Sequence, residues 1–146
     1  MRIKHSIDIN VAPDVVYNWL LNLDVNYKAW HPDHGKCYCV KGQGFKVDSV
    51  LYSEQYLHGK LHKQKTKVTF VEPNRYIEFQ FLGLHSLLVP NGKFVIAPSG
   101  TGTVFTEVIE VRFPSLVKLF ANKRIQALER HQEEEMINLK KALENS

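Results

Sequence analysis

Two cysteines in 146 residues, Cys37 and Cys39, exclude a disulfide-stapled scaffold. One residue apart in an extended segment, they could be bridged only with strain. A Cys-x-Cys pair alone is a weak metal signal, so both read as packing residues. Apolar runs are equally scarce, and none approaches the ~18 residues of a membrane-spanning helix. The opening Met-Arg-Ile-Lys-His-Ser carries no apolar stretch after its charges, so the expected setting is cytoplasmic, with reduced thiols. Without repeats, linkers or low-complexity tracts, residues 1–146 read as one domain. Neither sign of charge is in large excess: the net charge is +4. The one basic cluster is Lys60, Lys63, Lys65 and Lys67, of which the last three share a face in an extended strand. No aromatic–basic interleaving accompanies it, so the row reads as the wet side of an edge strand, and neither nucleic acid nor membrane is an expected partner.

What the chain does have is alternation, bounded by turns. Residues 2–10 alternate as a strand. Ala12-Pro13-Asp14 then opens a helix with Val15, Val16, Trp19, Leu20 and Leu23 as its apolar face, followed by a short helical segment over 24–30. The punctuated loop His31-Pro32-Asp33-His34-Gly35 comes next. Strands are predicted at 36–41, 45–57, 60–71, 75–82, 93–97 and 103–112. The turns between them are Gly42-Gln43-Gly44, His58-Gly59, Pro73-Asn74, Asn91-Gly92 and 99–102. Short links imply antiparallel neighbours. After Phe113-Pro114 one long helix runs over 115–143. Helices flanking a run of strands give an α+β class: a seven-stranded antiparallel sheet whose apolar face is buried by the last helix.

That helix carries the feature that needs explaining. At about 100° per residue, Val117, Ala121, Leu128, Leu139 and Ala142 fall on one face, with Ile125, Met136 and Leu143 along its flank. His131 and Glu135 fall inside the same face, while Glu133 and Glu134 point away as solvated charges. A buried carboxylate needs a partner. A His and a Glu at i,i+4 also describe an ordinary surface ion pair, but side chains so spaced can converge on one metal ion.

Two further segments hold chemistry-bearing residues. The stretch Tyr27-Lys28-Ala29-Trp30-His31-Pro32-Asp33-His34 packs two histidines, two aromatics and a carboxylate into eight residues. Glu54 alternates with Val50, Tyr52 and Tyr56, placing a carboxylate on what reads as the apolar side of its strand. Glu107, between Phe105 and Ile109, is the reserve carboxylate if Glu54 faces solvent. Two His and two Glu facing one cavity suit zinc, with iron or manganese as alternatives.

The element order and the opening Ile7-Asp8-Ile9-Asn10-Val11-Ala12-Pro13 resemble the START-like, or helix-grip (SRPBCC), superfamily, over nearly the whole chain. That resemblance implies a sheet gripping the C-terminal helix around an apolar cavity. More narrowly, Tyr27-Lys28-x-Trp30-x-Pro32-Asp33-His34 is similar to the segment supplying the first histidine ligand in the 2,4-diacetylphloroglucinol and phloretin hydrolases. Those are zinc enzymes that cleave a bond between an aromatic ring and an acyl group. Carried over, the resemblance implies His34, Glu54, His131 and Glu135 as metal ligands, and Tyr27 as a donor to the substrate's phenol or ketone. The loop before His34 is one residue shorter here, which leaves His31 open as the ligand. The chain is also about half as long as those enzymes.

The function expected is a metal-dependent hydrolase of a small apolar or aromatic acyl compound. Tyr27 and His31 are its catalytic candidates, and Trp30, Phe79, Phe81 and Phe105 line its pocket. The alternative is a carrier or sensor of an apolar molecule without chemistry, and a third reading is a protein-interaction module.

Overall fold

A computed structural model describes residues 1–57 and 59–145. The elements run β1 (Arg2–Ile9), α1 (Pro13–Leu21), α2 (Leu23–Trp30), β2 (His34–Lys41), β3 (Val50–Leu57), β4 (Lys60–Glu72), β5 (Tyr76–Phe81), a 3-10 turn (Gly83–Leu87), β6 (Asn91–Ser99), β7 (Gly102–Glu110) and α3 (Lys118–Glu144). The seven strands form one sheet in the order β1-β7-β6-β5-β4-β3-β2, with every pair antiparallel. Successive strands are neighbours except β1, which closes onto β7, so the sheet's edges are β1 and β2.

The apolar stripe of α3 buries Ala121, Met136, Leu139 and Leu143. Helix α1 adds Val16 and Leu20, and Pro13 opens it at a position where no backbone donor is lost. Aromatic rings join the layers. Phe94 on β6 lies 5.0 Å from Phe79, 5.5 Å from Phe105 and 5.8 Å from Trp30, centroid to centroid. The Trp30 indole N–H, at the end of α2, donates to the Glu135 backbone carbonyl at 3.1 Å, fixing α2 against the middle of α3.

Four expectations are corrected. Asn91-Gly92 is not a turn but the start of β6. A Cβ on Gly92 would lie 2.7 Å from both the Phe79 ring and Ile109 Cδ1, so glycine serves close packing there. Residues 45–49 precede β3 as a loop, anchored by buried Phe45. The lysine row does face outward, but β4 lies between β3 and β5 and is not an edge strand. The fourth is the face of β3: Leu51, Ser53 and Gln55 are buried, so Val50, Tyr52, Glu54 and Tyr56 look outward. The expected turn at His58-Gly59 lies partly outside the described residues.

Phe105 is fully buried in this ring cluster. Its truncation leaves a void in a packed core, so Phe105→Ala should cost about 3–5 kcal/mol of stability, read as a lower midpoint in urea unfolding.

Candidate metal centre and the cavity it faces

The concave face of the sheet and α3 enclose a cavity of about 670 Å³. At one end stand the groups that the start of β2 and the middle of α3 bring together. His34 Nε2 lies 2.8 Å from Glu135 Oε1 and 3.3 Å from His131 Nε2, and His131 Nε2 lies 3.3 Å from the same carboxylate oxygen. All three residues are buried.

The tautomer of His34 is set by its other nitrogen. Nδ1 lies 2.8 Å from the Tyr27 backbone carbonyl, which can only accept, so Nδ1 carries the proton. In the neutral ring Nε2 then presents a lone pair to the Glu135 carboxylate, and two acceptors at 2.8 Å require positive charge between them. A proton or a metal ion meets that need. Tetrahedral zinc with bonds of ~2.0–2.2 Å has donor–donor edges of about 3.3–3.6 Å; the two 3.3 Å spacings match, and the 2.8 Å one would open on binding. The three donors therefore fit a divalent ion, and a carbonyl behind a ligating imidazole is the usual support for one.

Around this trio, the Tyr27 ring stacks on His34 at 3.9 Å with planes 8° apart. Burial and the Glu135 charge raise the Tyr27 phenol, so it stays a proton-bearing donor. Burial alone would raise Glu135, but hydrogen bonds from His131 and His34 outweigh it and bring the carboxyl down to about 2. His131 moves the other way: burial would lower it, and Glu135 more than compensates, so it is raised. Glu107 is buried on β7 beside Glu135, with Oε2 unpartnered. Burial and the neighbouring Glu135 charge hold its carboxyl well above the usual range.

The structure brings together His34, His131 and Glu135, with Tyr27 and Trp30 bordering them and Phe79 and Phe81 on the cavity wall. Glu54 is not brought to them. On the outer face of β3 it accepts from the Tyr52 hydroxyl at 2.8 Å, and that bond lowers its carboxyl. The cavity carboxylate from the sheet is Glu107. Phe105 sits in the core and not on the cavity wall. His31 is 2% exposed and also off the wall. Its Nε2 donates to Glu134 at 2.6 Å, its Nδ1 accepts from the Asp33 N–H at 3.0 Å, and its ring lies 4.1 Å from that of His131. Glu134 is thus a partner of His31 and not simply a solvated charge. His31, Asp33 and His131 also lie close enough together to be a second donor grouping, but Asp33 is exposed. Sequence reasoning missed the polar inner faces of β3 and β4, where Ser53, Gln55, His62 and Gln64 line the cavity; period-2 alternation with the faces exchanged was the available signal.

Known structures share this architecture. TTHA0849 from Thermus thermophilus matches with TM-score 0.78 at 15% identity, covering 98% of this chain and 97% of that one. The Zhui aromatase/cyclase from Streptomyces sp. R1128 matches with TM-score 0.78 at 13% identity, covering 99% and 93%. The Aha1 dimer from Colwellia psychrerythraea matches with TM-score 0.69 at 21% identity, covering 98% and 96%. These likenesses bear out the helix-grip fold. Comparison with curated protein sequences gave no match. Residues 1–144 match the family described as "Polyketide cyclase / dehydrase and lipid transport".

The buried acids and histidine make the metal-free protein sensitive to pH. Glu107 and His131 are raised, so their contributions are full below their ordinary values of 4.5 and 6.5 and are lost as pH rises. Glu135 is lowered, so its contribution is full above 4.5 and lost toward about 2. Chelator-treated protein should therefore be most stable near about pH 5 and melt at progressively lower temperature up to about pH 8. Glu107→Gln should flatten that decline. A melting temperature that rises over the interval would contradict the assignment.

Proposed function

The chain belongs to the polyketide cyclase/dehydrase and lipid transport family, and we propose that this member is a metal-dependent hydrolase of small acylated aromatic compounds. His34, His131 and Glu135 hold one ion, zinc in the first instance, with iron or manganese as alternatives. The observation that carries the reading is the buried trio whose Nε2 and Oε1 atoms converge within 2.8–3.3 Å of one another.

A bound zinc ion supplies Lewis acidity toward a carbonyl oxygen and acidifies water. The chain's own residues do the rest. Trp30, Phe79 and Phe81 give the aromatic ring an apolar wall. Tyr27, kept protonated, donates to the phenol or ketone oxygen and stabilises charge that develops there. In cleavage between ring and acyl group, the ring carbon gains a proton, the ring–acyl bond breaks, water's hydroxyl ends on the acyl carbon, and water's other proton restores the acid that protonated the ring. Glu107 is the proton source for the ring carbon: it lines the cavity, and burial raises its carboxyl toward the proton-bearing form. His31 lacks access to that cavity and serves instead to position His131.

A second reading, a non-catalytic carrier of an apolar molecule, is favoured by the size of the cavity and its aromatic wall. Metal content and turnover separate the two.

Wild-type protein should hold about one metal ion per chain by elemental analysis. His131→Ala should lose most of it, because one missing ligand opens the site. Glu54→Ala and Glu134→Ala should retain it, being outside the trio. Equal metal content in His131→Ala and wild type would sink the metal assignment.

On a panel of acylated phenols, turnover should vanish with chelator and return with zinc. Glu107→Gln should keep the metal and slow turnover by about 10²-fold or more. A fully metallated wild type inert across the panel would shift the reading to the carrier.

A further inference from the structure

The ionisable groups lining the cavity are sorted by sign. Its carboxylates, Glu107 and Glu135, stand with His131 at the trio. Five basic residues line it elsewhere: Lys60 and His62 from the start of β4, His85 from the 3-10 turn, and Lys123 and Arg124 from the first turns of α3. Among the described residues none of these five is ion-paired with a carboxylate, whereas Lys140 and Arg75 elsewhere in the chain pair with Glu144 and Glu72.

Two rulers place this basic end relative to the trio. Arg124 precedes His131 by seven residues of continuous helix, about 10 Å at 1.5 Å per residue. Across the sheet, His62 pairs with Gln55 and Gln55 with His34, two strand spacings or about 10 Å.

His85 is held low by burial and by His62 nearby, an arrangement that an anion would relieve. Lys60, Lys123 and Arg124 are exposed as well as lining the cavity, so an anion bound by them would keep contact with solvent.

We infer that the ligand of this cavity carries an anionic group, a carboxylate by preference, met about 10 Å along α3 from His131 by Lys123 and Arg124. The substrate class narrows to amphipathic aromatic acids: a ring and acyl group at the trio, and a short acidic side chain reaching the basic end. The inference rests on the reading of the cavity as a substrate pocket and not on the metal.

The test is calorimetric titration of the full chain, zinc-loaded and chelator-treated. The probes are an acetophenone bearing a butanoate chain para to the ketone, and its uncharged primary amide. The acid should bind at least about tenfold tighter than the amide, in both metal states, with the advantage shrinking as salt rises. The double variant Lys123→Glu/Arg124→Glu should remove the preference for the acid over the amide. Equal binding of acid and amide to wild type would overturn the inference and leave the metal reading intact. So would a preference that survives the double variant or disappears on chelation, since the acid would then be read elsewhere. A preference that persists in a chain that binds no zinc would support this inference while the metal reading fails.

Discussion

The approach of His34 Nε2 to Glu135 Oε1 at 2.8 Å is the contact on which the rest of the architecture turns. It joins the first residue of β2, an edge strand, to the middle of the helix that covers the sheet. Neither partner is tolerable there alone, because a buried carboxylate without positive charge beside it is among the costliest groups a fold can hold. The surrounding structure is arranged to keep the pair together: the Tyr27 carbonyl fixes the imidazole's proton, the Tyr27 ring lies flat on it, and Trp30 holds the Glu135 backbone. Glu107 adds a second carboxyl next to the first, and burial beside the Glu135 charge pushes that second group toward its neutral form.

Different elements were legible to different degrees, for physical reasons. The 27-residue α3 repeats its 3.6-residue period over seven turns, so the inward direction of His131 and Glu135 was overdetermined. Strand β3 offers only eight residues, and its polarity is reversed: Ser53 and Gln55 face the interior while Tyr52 and Tyr56 face outward. Alternation gives the period of a strand but not which face is inside, and in β3 the usual rule that apolar means inside fails because the inside is a partly polar cavity. Glu54 was misplaced for that reason. Glu107, in a strand whose inner face is apolar, was read in the right direction from Phe105 and Ile109.

Loops defied the sequence in another way. Two histidines three residues apart, His31 and His34, were equivalent as letters. Their difference lies in what their nitrogens meet: both nitrogens of His31 are engaged, by Glu134 and the Asp33 amide, while His34 keeps one turned toward Glu135. Gly92 is similar, since a glycine required by the Phe79 ring and Ile109 cannot be told from a turn glycine until those neighbours are placed.

The position of Trp30 has an optical consequence. Its ring meets Trp19 edge-on at 5.6 Å, and these are the chain's two tryptophans. One of the pair also rests its edge on His34 and its N–H on Glu135. The near-ultraviolet dichroism of the protein should therefore carry a contribution from paired indoles that belong to the core and to the histidine end of the cavity at once. A spectroscopist following that signal watches the site and the fold through one chromophore, and any ion or ligand that shifts the trio writes itself into the same band.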